Sequence, residues 1–553
     1  MHAPTRNALR PVMPVFACSL AISAGLAALM VLERAGVPNP FELRIIRYLS
    51  LYQDLYAFAP YMAILLLALV PAIRNVGIAL ADWCGAHPRL LAALAALGLA
   101  AGSLFVCRAY PLTMDEYAVV FQSKIFAAGH LTGRFPPELL DWLIPKAIQG
   151  KFLKPDSHTG AVAAAYWPGF SLLLTPFTLL DSPWLLNPLI GGATVLLMHR
   201  LGLELFGERR SAGLVALLTL ASSAVAINAM TYYTMPAHLL ASALYVLLLL
   251  RPNPAKAFAA GVVGSYALVL HSPVPHLLFA LPFIAWLAFQ PRGPRLVAVL
   301  VIGYLPLCLL LGFGWASLLD TLELVTPSGA LVAPSSLAES ILSRLRSIQD
   351  WGRYETPSLV QHTLVFAKLW LWAVPALVAA AALGAWRVRR ESGILRVLAI
   401  AALLTYLGYQ CLPIYQGHGW GYRYFHQAWL ALPLLAVAGL RVAPHAALGG
   451  YLAGSALLSL ALLTPFQALQ VRTFVDRHLA QLPPIPAQVR VVLINPLAGY
   501  YSWDLAQNDP FLRGRVTLLI SQGPRADQET MAKVFPGYEP ISGDGRAAFW
   551  GTR

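Results

Sequence analysis

Two adjacent carboxylates, Asp115 and Glu116, lie in the segment "YPLTMDEYAVVFQSKIFAAGHLTG" at 110–133, directly after a long apolar run. A carboxylate at such a place suits general-base chemistry, taking a proton from a hydroxyl or amine as that group attacks an electrophile. The same residues also read as a helix start. Thr113 and Glu116 fit the capping box T-x-x-E, acids in the first turn favour the helix dipole, and Gly129 fits the C-cap. The spacing therefore predicts a helix over about 114–128. One capping acid is enough, so Asp115 is the stronger candidate base, and Glu116 stays open between catalysis and capping.

A second cluster, "YQGHGWGYRYFHQ" at 415–427, crowds Tyr415, His418, Tyr422 and Arg423 between two apolar runs. Aromatics alone would read as a membrane-interface belt with a snorkelling arginine. Glycines that let backbone approach a ligand, and an arginine fork suited to phosphate, favour substrate binding. Two weaker candidates are "LHSPVPHLLF", with His271 and His276 beside prolines, and "KPDSHTG", with Lys154 and His158. Both read equally as polar turns; in a functional reading they are substrate contacts. No H-E-x-x-H, Walker A, G-x-S-x-G or zinc spacing occurs. No cofactor is expected from these motifs, and a divalent metal is left open.

The elements that must position these residues are membrane helices. Of 553 residues, 58% are hydrophobic and 12% charged, with a mean hydropathy of +0.64, against about 25% charged in soluble domains. The first apolar stretch, 11–31, lacks a small-residue cleavage site and reads as a retained span. The formal charge of +14 does not indicate nucleic acid, because the basic residues fall in short loops at alternate span ends, the positive-inside pattern. The five cysteines form no disulfide framework; Cys84 reads as a loop residue.

Spans are predicted near 11–31, 56–73, 89–108, 184–204, 211–229, 235–250, 256–270, 275–290, 295–313, 364–385, 393–411, 426–441 and 446–465, about thirteen in all. This threading leaves loop 110–183, loop 314–363, the stretch 412–427 and the tail on the outer face. It requires that "YWPGFSLLLTPF" at 166–177 not cross, and its length suits an interfacial or re-entrant helix. In the tail, "VRVVLIN" and "RVTLLIS" read as strands, "ADQETMAKVF" as a helix and "AAFWG" as a last strand. The expected organisation is mainly α: additional membrane helices in 1–88, a transmembrane catalytic domain in 89–466, and a small soluble α/β domain in 467–553.

The order of these segments resembles the GT-C class of membrane glycosyltransferases, in particular the bacterial branch related to protein O-mannosyltransferases and aminoarabinose transferases. The acid-bearing helix "MDEYAVVFQSKIFAAGHL", then "YWPGFSLLLTPF", then "NPLIGGATVLLMHRLGLELFGERRSAGLVALLTLASSAVAINAM" and late "GYRYFHQAWLALPLLAV" carry the likeness, over about 90–465. Two departures stand out: the acids follow the third predicted span rather than the first, and histidine replaces the family's basic residue near "LHSPVPHLL". The resemblance implies a multi-pass protein of the bacterial inner membrane, with its active site and tail domain in the periplasm. It implies a polyprenyl-phosphate-linked donor of one hexose or pentose, a glycan, lipid or protein acceptor, and inversion at the sugar. Asp115 would be the base and Arg423 would hold the lipid phosphate. The competing readings are a transporter or flippase of lipid-linked saccharide and an O-antigen ligase or polymerase. A transporter would bury charges in mid-span, and a ligase would leave the early acidic helix unused.

Overall fold

The computed structural model describes residues 9–40, 43–146, 148–322, 359–391, 393–411, 416–442 and 446–552. Most of loop 314–363 and Tyr415 therefore lie outside the described residues. Among those described, six helices are long and apolar enough to cross a membrane: Met13–Ala35, Pro88–Phe105, Pro183–Phe206, Gly293–Asp320, Ile394–Cys411 and Ala446–Leu479. A seventh candidate is the pair Ile45–Leu67 and Pro71–Ala86, bent by 95° at its break. Several other predicted crossings coincide with apolar helices of 10–17 residues, such as Met235–Leu249, Pro254–Val269 and Val274–Ala288. Cys84, expected in a loop, is buried within helix Pro71–Ala86; "GIALADWCGA" continues the helix because nothing before His87 stops it.

The chain divides into two compact units. The first comprises Met1–Val106, Leu185–Cys308 and Arg346–Gln470 and is a bundle of apolar helices. Besides the span expected at 56–73, which is interrupted at the bend between Leu67 and Pro71, two more of its predicted spans are broken. The crossing expected at 364–385 stops at Leu371 and resumes at Leu377, because Pro375 cannot donate to the helix and Ala376 takes a left-handed φ of 73°. The one expected at 211–229 breaks between Leu220 and Ser223. The two breaks meet: the Ala224 amide donates to the Trp372 carbonyl at 3.0 Å. Each supplies a backbone group that the other would leave unpaired.

Beside this junction the bundle buries an ion pair. Lys368 Nζ lies 2.6 Å from Asp54 Oδ2, and the Trp372 indole donates to Asp54 Oδ1 at 3.2 Å. Both charged side chains are only 1% exposed.

The second unit comprises Cys107–Trp184, Leu309–Leu345 and Val471–Arg553. Its central element is the acid helix, Met114–Ala127. The helix ends as a Schellman motif: Gly129 (φ 78°) and His130 donate to the carbonyls of Phe126 and Ile125. A three-stranded antiparallel sheet follows, with Ala161–Ala164 between Gly133–Arg134 and Leu153–Pro155. The tail forms a four-stranded sheet. Val489–Ile494 lies parallel to Thr517–Ile520 and antiparallel to Ala547–Gly551, with Glu539–Gly543 at the edge; helix Pro524–Val534 packs against it.

Met114, Tyr117, Phe121 and Ile125 recur at helical spacing on one face of the acid helix. They share one core with Phe135, Leu143 and Val162 of the outer loop and with Val491, Leu493, Leu519 and Met531 of the tail. The tail sheet thus closes over the same apolar face as the loop that carries the acids.

Candidate functional site

The acid helix gives its two carboxylates different surroundings. Thr113 holds the N-cap position with extended backbone, and Glu116 is 1% exposed. Its carboxylate turns back to accept the Leu112 amide at 3.1 Å. This is the capping-box idea displaced by one residue, since the acceptor serves the amide before the N-cap rather than that of the N-cap itself. Asp115, one position earlier, is half-buried and accepts a hydrogen bond from the Tyr166 hydroxyl. Tyr166 opens the "YWPGF" segment, which continues as helix Gly169–Leu179.

A third acid belongs to this cluster. Asp504 of the tail is 5% exposed, and its carboxyl lies within the electrostatic reach of Asp115 and Glu116. Burial foremost, and the Asp115 charge next, push its carboxyl well above the usual carboxylate range. Nothing local in "YYSWDLAQND" marks Asp504, because its significance comes from a partner nearly four hundred residues away.

In the same unit, Lys154 donates to the Leu319 carbonyl at 2.5 Å. His158 is exposed at the tip of a turn organised by Asp156, whose carboxylate accepts from the amides of His158 (3.0 Å) and Thr159 (2.6 Å). Gly160 closes this turn at φ 73°, and a Cβ there would lie 1.9 Å from the Phe135 carbonyl oxygen.

In the helical unit the structure brings together His418, Tyr422 and Arg423. The Arg423 guanidinium sits 4.2 Å from the Tyr233 ring centroid and donates to the His418 carbonyl at 2.6 Å. The Arg423 amide donates to Gln416 Oε1 at 2.9 Å, and the Gln416 amide group donates to the Gly421 carbonyl. His418 lies 3.2 Å from the Tyr233 hydroxyl and meets Trp420 edge-on. Trp420 stacks on Trp372, and its carbonyl accepts from Asn228. Arg423 is thus cradled by the rigid junction of the two broken helices. Gly419 is required here: a Cβ would lie 2.0 Å from Arg423 Cδ. Tyr422 is buried and accepts from Gln410 at 3.2 Å.

The remaining histidines differ. His276 is a buried core residue whose Nε2 lies 2.6 Å from the Tyr304 hydroxyl, whereas His271 is half-buried. His238 and His426, which interact electrostatically, each leave a buried Nε2 with no hydrogen-bond partner among the described residues. Among those residues no three His, Cys, Asp or Glu side chains are grouped to hold a metal ion. Sequence reasoning passed over Tyr166, Tyr233, Gln416 and Asp504. Only Tyr166 and Gln416 carried a signal, standing inside segments already singled out.

No family model and no curated protein matches the sequence. The solved structures do. The crystal structure of ArnT from Cupriavidus metallidurans bound to undecaprenyl phosphate aligns at TM-score 0.50 and 12% identity, over 83% of this chain and 97% of that one. The chain has the ArnT fold. The apo-state structure of ArnT aligns at TM-score 0.49 over the same shares. The GT-C-type architecture implied by the order of motifs is therefore borne out as a fold, reached at an identity too low for most residues to correspond. The number of spans expected, about thirteen, is not fixed by the six or seven long apolar helices described.

Proposed function

We propose that this protein is a glycosyltransferase of the bacterial inner membrane that moves one sugar from a polyprenyl-phosphate donor to an acceptor at the periplasmic face. The observation that carries the reading is the fold shared with ArnT, a protein solved with undecaprenyl phosphate bound. The half-exposed acid on the first outer-loop helix supports it further. The threading of about thirteen spans, which puts the acid helix, the 412–427 stretch and the tail outside, belongs to this proposal, as do the domain limits near 88 and 466.

Asp115 is the general base. It takes the proton of an acceptor hydroxyl or amine as that atom attacks the anomeric carbon, and the bond to the lipid phosphate breaks on the opposite side with inversion. The Tyr166 hydroxyl fixes the direction of the carboxylate. Glu116, occupied by the Leu112 amide, holds the start of the helix in place. No general acid is needed, because the departing lipid phosphate is a good leaving group at neutral pH. Arg423 binds that phosphate and stabilises the charge it gains as the bond breaks. Its planar fork, set on Tyr233, suits the task better than a lysine would. His418 and Tyr422 complete this phosphate subsite, and the buried Nε2 atoms of His238 and His426 favour a hydrogen-bonding ligand near it. Tyr415 and His271 are assigned to the donor side, Lys154 and His158 to the acceptor side, and His276 to support of the subsite from behind.

The test is mass spectrometry of lipid-linked sugars and surface glycans in a deletion strain. A missing sugar with its donor accumulating on the outer leaflet is the expected result. Donor trapped on the inner leaflet would instead identify a flippase, and loss of whole polymer chains from lipopolysaccharide would identify a ligase.

A further inference from the structure

Helix Leu359–Leu371 stops short of Pro375, and its last carbonyls have no partner within the helix. Partners come from elsewhere in the bundle: Gln467 Nε2 donates to the Leu371 carbonyl at 3.2 Å, and the Ala224 amide donates to that of Trp372 at 3.0 Å. The side chains of this turn are held as well. Asp54 grips two of them, taking Lys368 Nζ on one carboxylate oxygen and the Trp372 indole, 318 positions away in sequence, on the other. Beside Asp54, the Gln53 carbonyl accepts from Gln470 Nε2 at 2.7 Å. A buried ion pair adds little stability over well-packed apolar residues. What this one adds is direction, because it fixes the setting of the Trp372 ring.

The stretch that carries Arg423 is built on that ring. Trp420 stacks on it with centroids 6.2 Å apart. A Cβ on Gly421 would lie 3.2 Å from Trp372 Cβ and 3.3 Å from its Cγ, so the backbone there rests directly against the tryptophan. We propose that Asp54 is a positioning residue for the phosphate subsite: by accepting the Trp372 indole it fixes the surface against which residues 418–421 pack, and through them the direction of the Arg423 fork. Two routes lead from the ring. One runs through Trp420 to His418, which meets it edge-on and whose carbonyl accepts from the guanidinium. The other runs through the Gly421 carbonyl to Gln416, whose Oε1 accepts the Arg423 amide. A guanidinium fork meets a phosphate in a definite geometry, and a shift of about 1 Å in a positioned group is costly. Lys368 has the complementary part, since a lone carboxylate could not stay charged in an apolar bundle.

The inference rests on Arg423 being the phosphate ligand, and the experiment separates the two claims. Full-length wild type is compared in detergent with Asp54→Leu/Lys368→Met and Asp54→Asn/Lys368→Met. Both doubles remove the charge pair together, so neither strands a buried charge; only Asn keeps an oxygen for the indole. The first measurement is the rate at which phenylglyoxal modifies Arg423, followed by peptide mass spectrometry without any lipid. The rate should rise about tenfold in the Leu double, the worth of one buried hydrogen bond, and stay within about threefold of wild type in the Asn double. Trp372→Phe, which keeps the ion pair and a ring but loses the indole N–H, should behave like the Leu double and serves in its place if that protein does not fold. The second measurement is binding of a short-chain polyprenyl phosphate, whose Kd should rise about tenfold wherever the indole bond is lost. With substrates supplied, KM for the donor should follow it and KM for the acceptor should hold. Arg423 labelling that is equal in all three proteins, or altered equally in both doubles, overturns the proposal: the pair would then serve stability alone. Labelling that changes as described while polyprenyl phosphate binds every variant equally would remove Arg423 from the phosphate subsite and leave Asp54 as its anchor.

Discussion

At the scale of single residues, the two neighbouring acids should separate under mutation. Asp115→Asn removes the proton acceptor and keeps the Tyr166 contact possible. Transfer should fall by about 10²- to 10⁴-fold, the usual worth of a general base, with the protein still folded. Glu116→Gln weakens the acceptor for the Leu112 amide. It should lower the melting temperature while transfer stays within about tenfold of wild type, the change being one hydrogen bond of about 1 kcal/mol. Steady-state kinetics and thermal unfolding in detergent measure both, and equal losses of transfer in the two variants would reject the division of roles. Arg423→Ala should raise KM for the lipid-linked donor and leave KM for the acceptor unchanged. Arg423→Lys should restore only part, because a point charge cannot reproduce the fork. A shift confined to the acceptor would remove Arg423 from the phosphate subsite. Asp115 and Arg423 were both visible in the sequence because each is a charged residue in an apolar chain and had to be accounted for. Asp504 was not, since an acid in a polar tail needs no explanation until its neighbour is known.

At the scale of elements, periodicity and caps located what local chemistry determines. The acid helix was predicted over 114–128 and spans Met114–Ala127, because Thr113, Glu116 and Gly129 mark its ends within a few residues. The tail strands at 489–494 and 517–520 and the last strand were likewise readable. The edge strand Glu539–Gly543 was missed, for it carries almost no apolar alternation. The breaks in the helices at 221–222 and 372–376 were missed for another reason. Hydropathy averages over them, whereas the break depends on Pro375 and on the Ala224–Trp372 bond across the bundle. The same junction holds Lys368 and Asp54, a pair closed on itself and on the Trp372 indole. Removing one partner leaves a buried charge, so Lys368→Met should destabilise the bundle by about 3–5 kcal/mol. The double change Lys368→Met with Asp54→Leu should recover most of that loss. Denaturation in detergent would show it, and a single variant as stable as wild type would mean that water reaches the pair.

At the scale of the whole molecule, the tail sheet and the first outer loop bury one core, so the stability of the second unit depends on a titrating group inside it. Asp504 holds its proton more tightly folded than unfolded, because burial and then Asp115 disfavour its charge. An unfolded aspartate ionises near pH 4. Below that value the group is neutral in both states and carries no penalty. As pH rises toward the folded value, the unfolded chain releases a proton that the folded one retains, and the fold weakens with every unit. Asp504→Asn has no proton to retain. Relative to wild type, the variant should therefore gain stability as pH climbs from 4.5 to 8.5, a trend that thermal unfolding across that range would reveal. A difference between the two proteins that stays constant with pH would mean that Asp504 ionises as freely in the folded protein as in the unfolded chain.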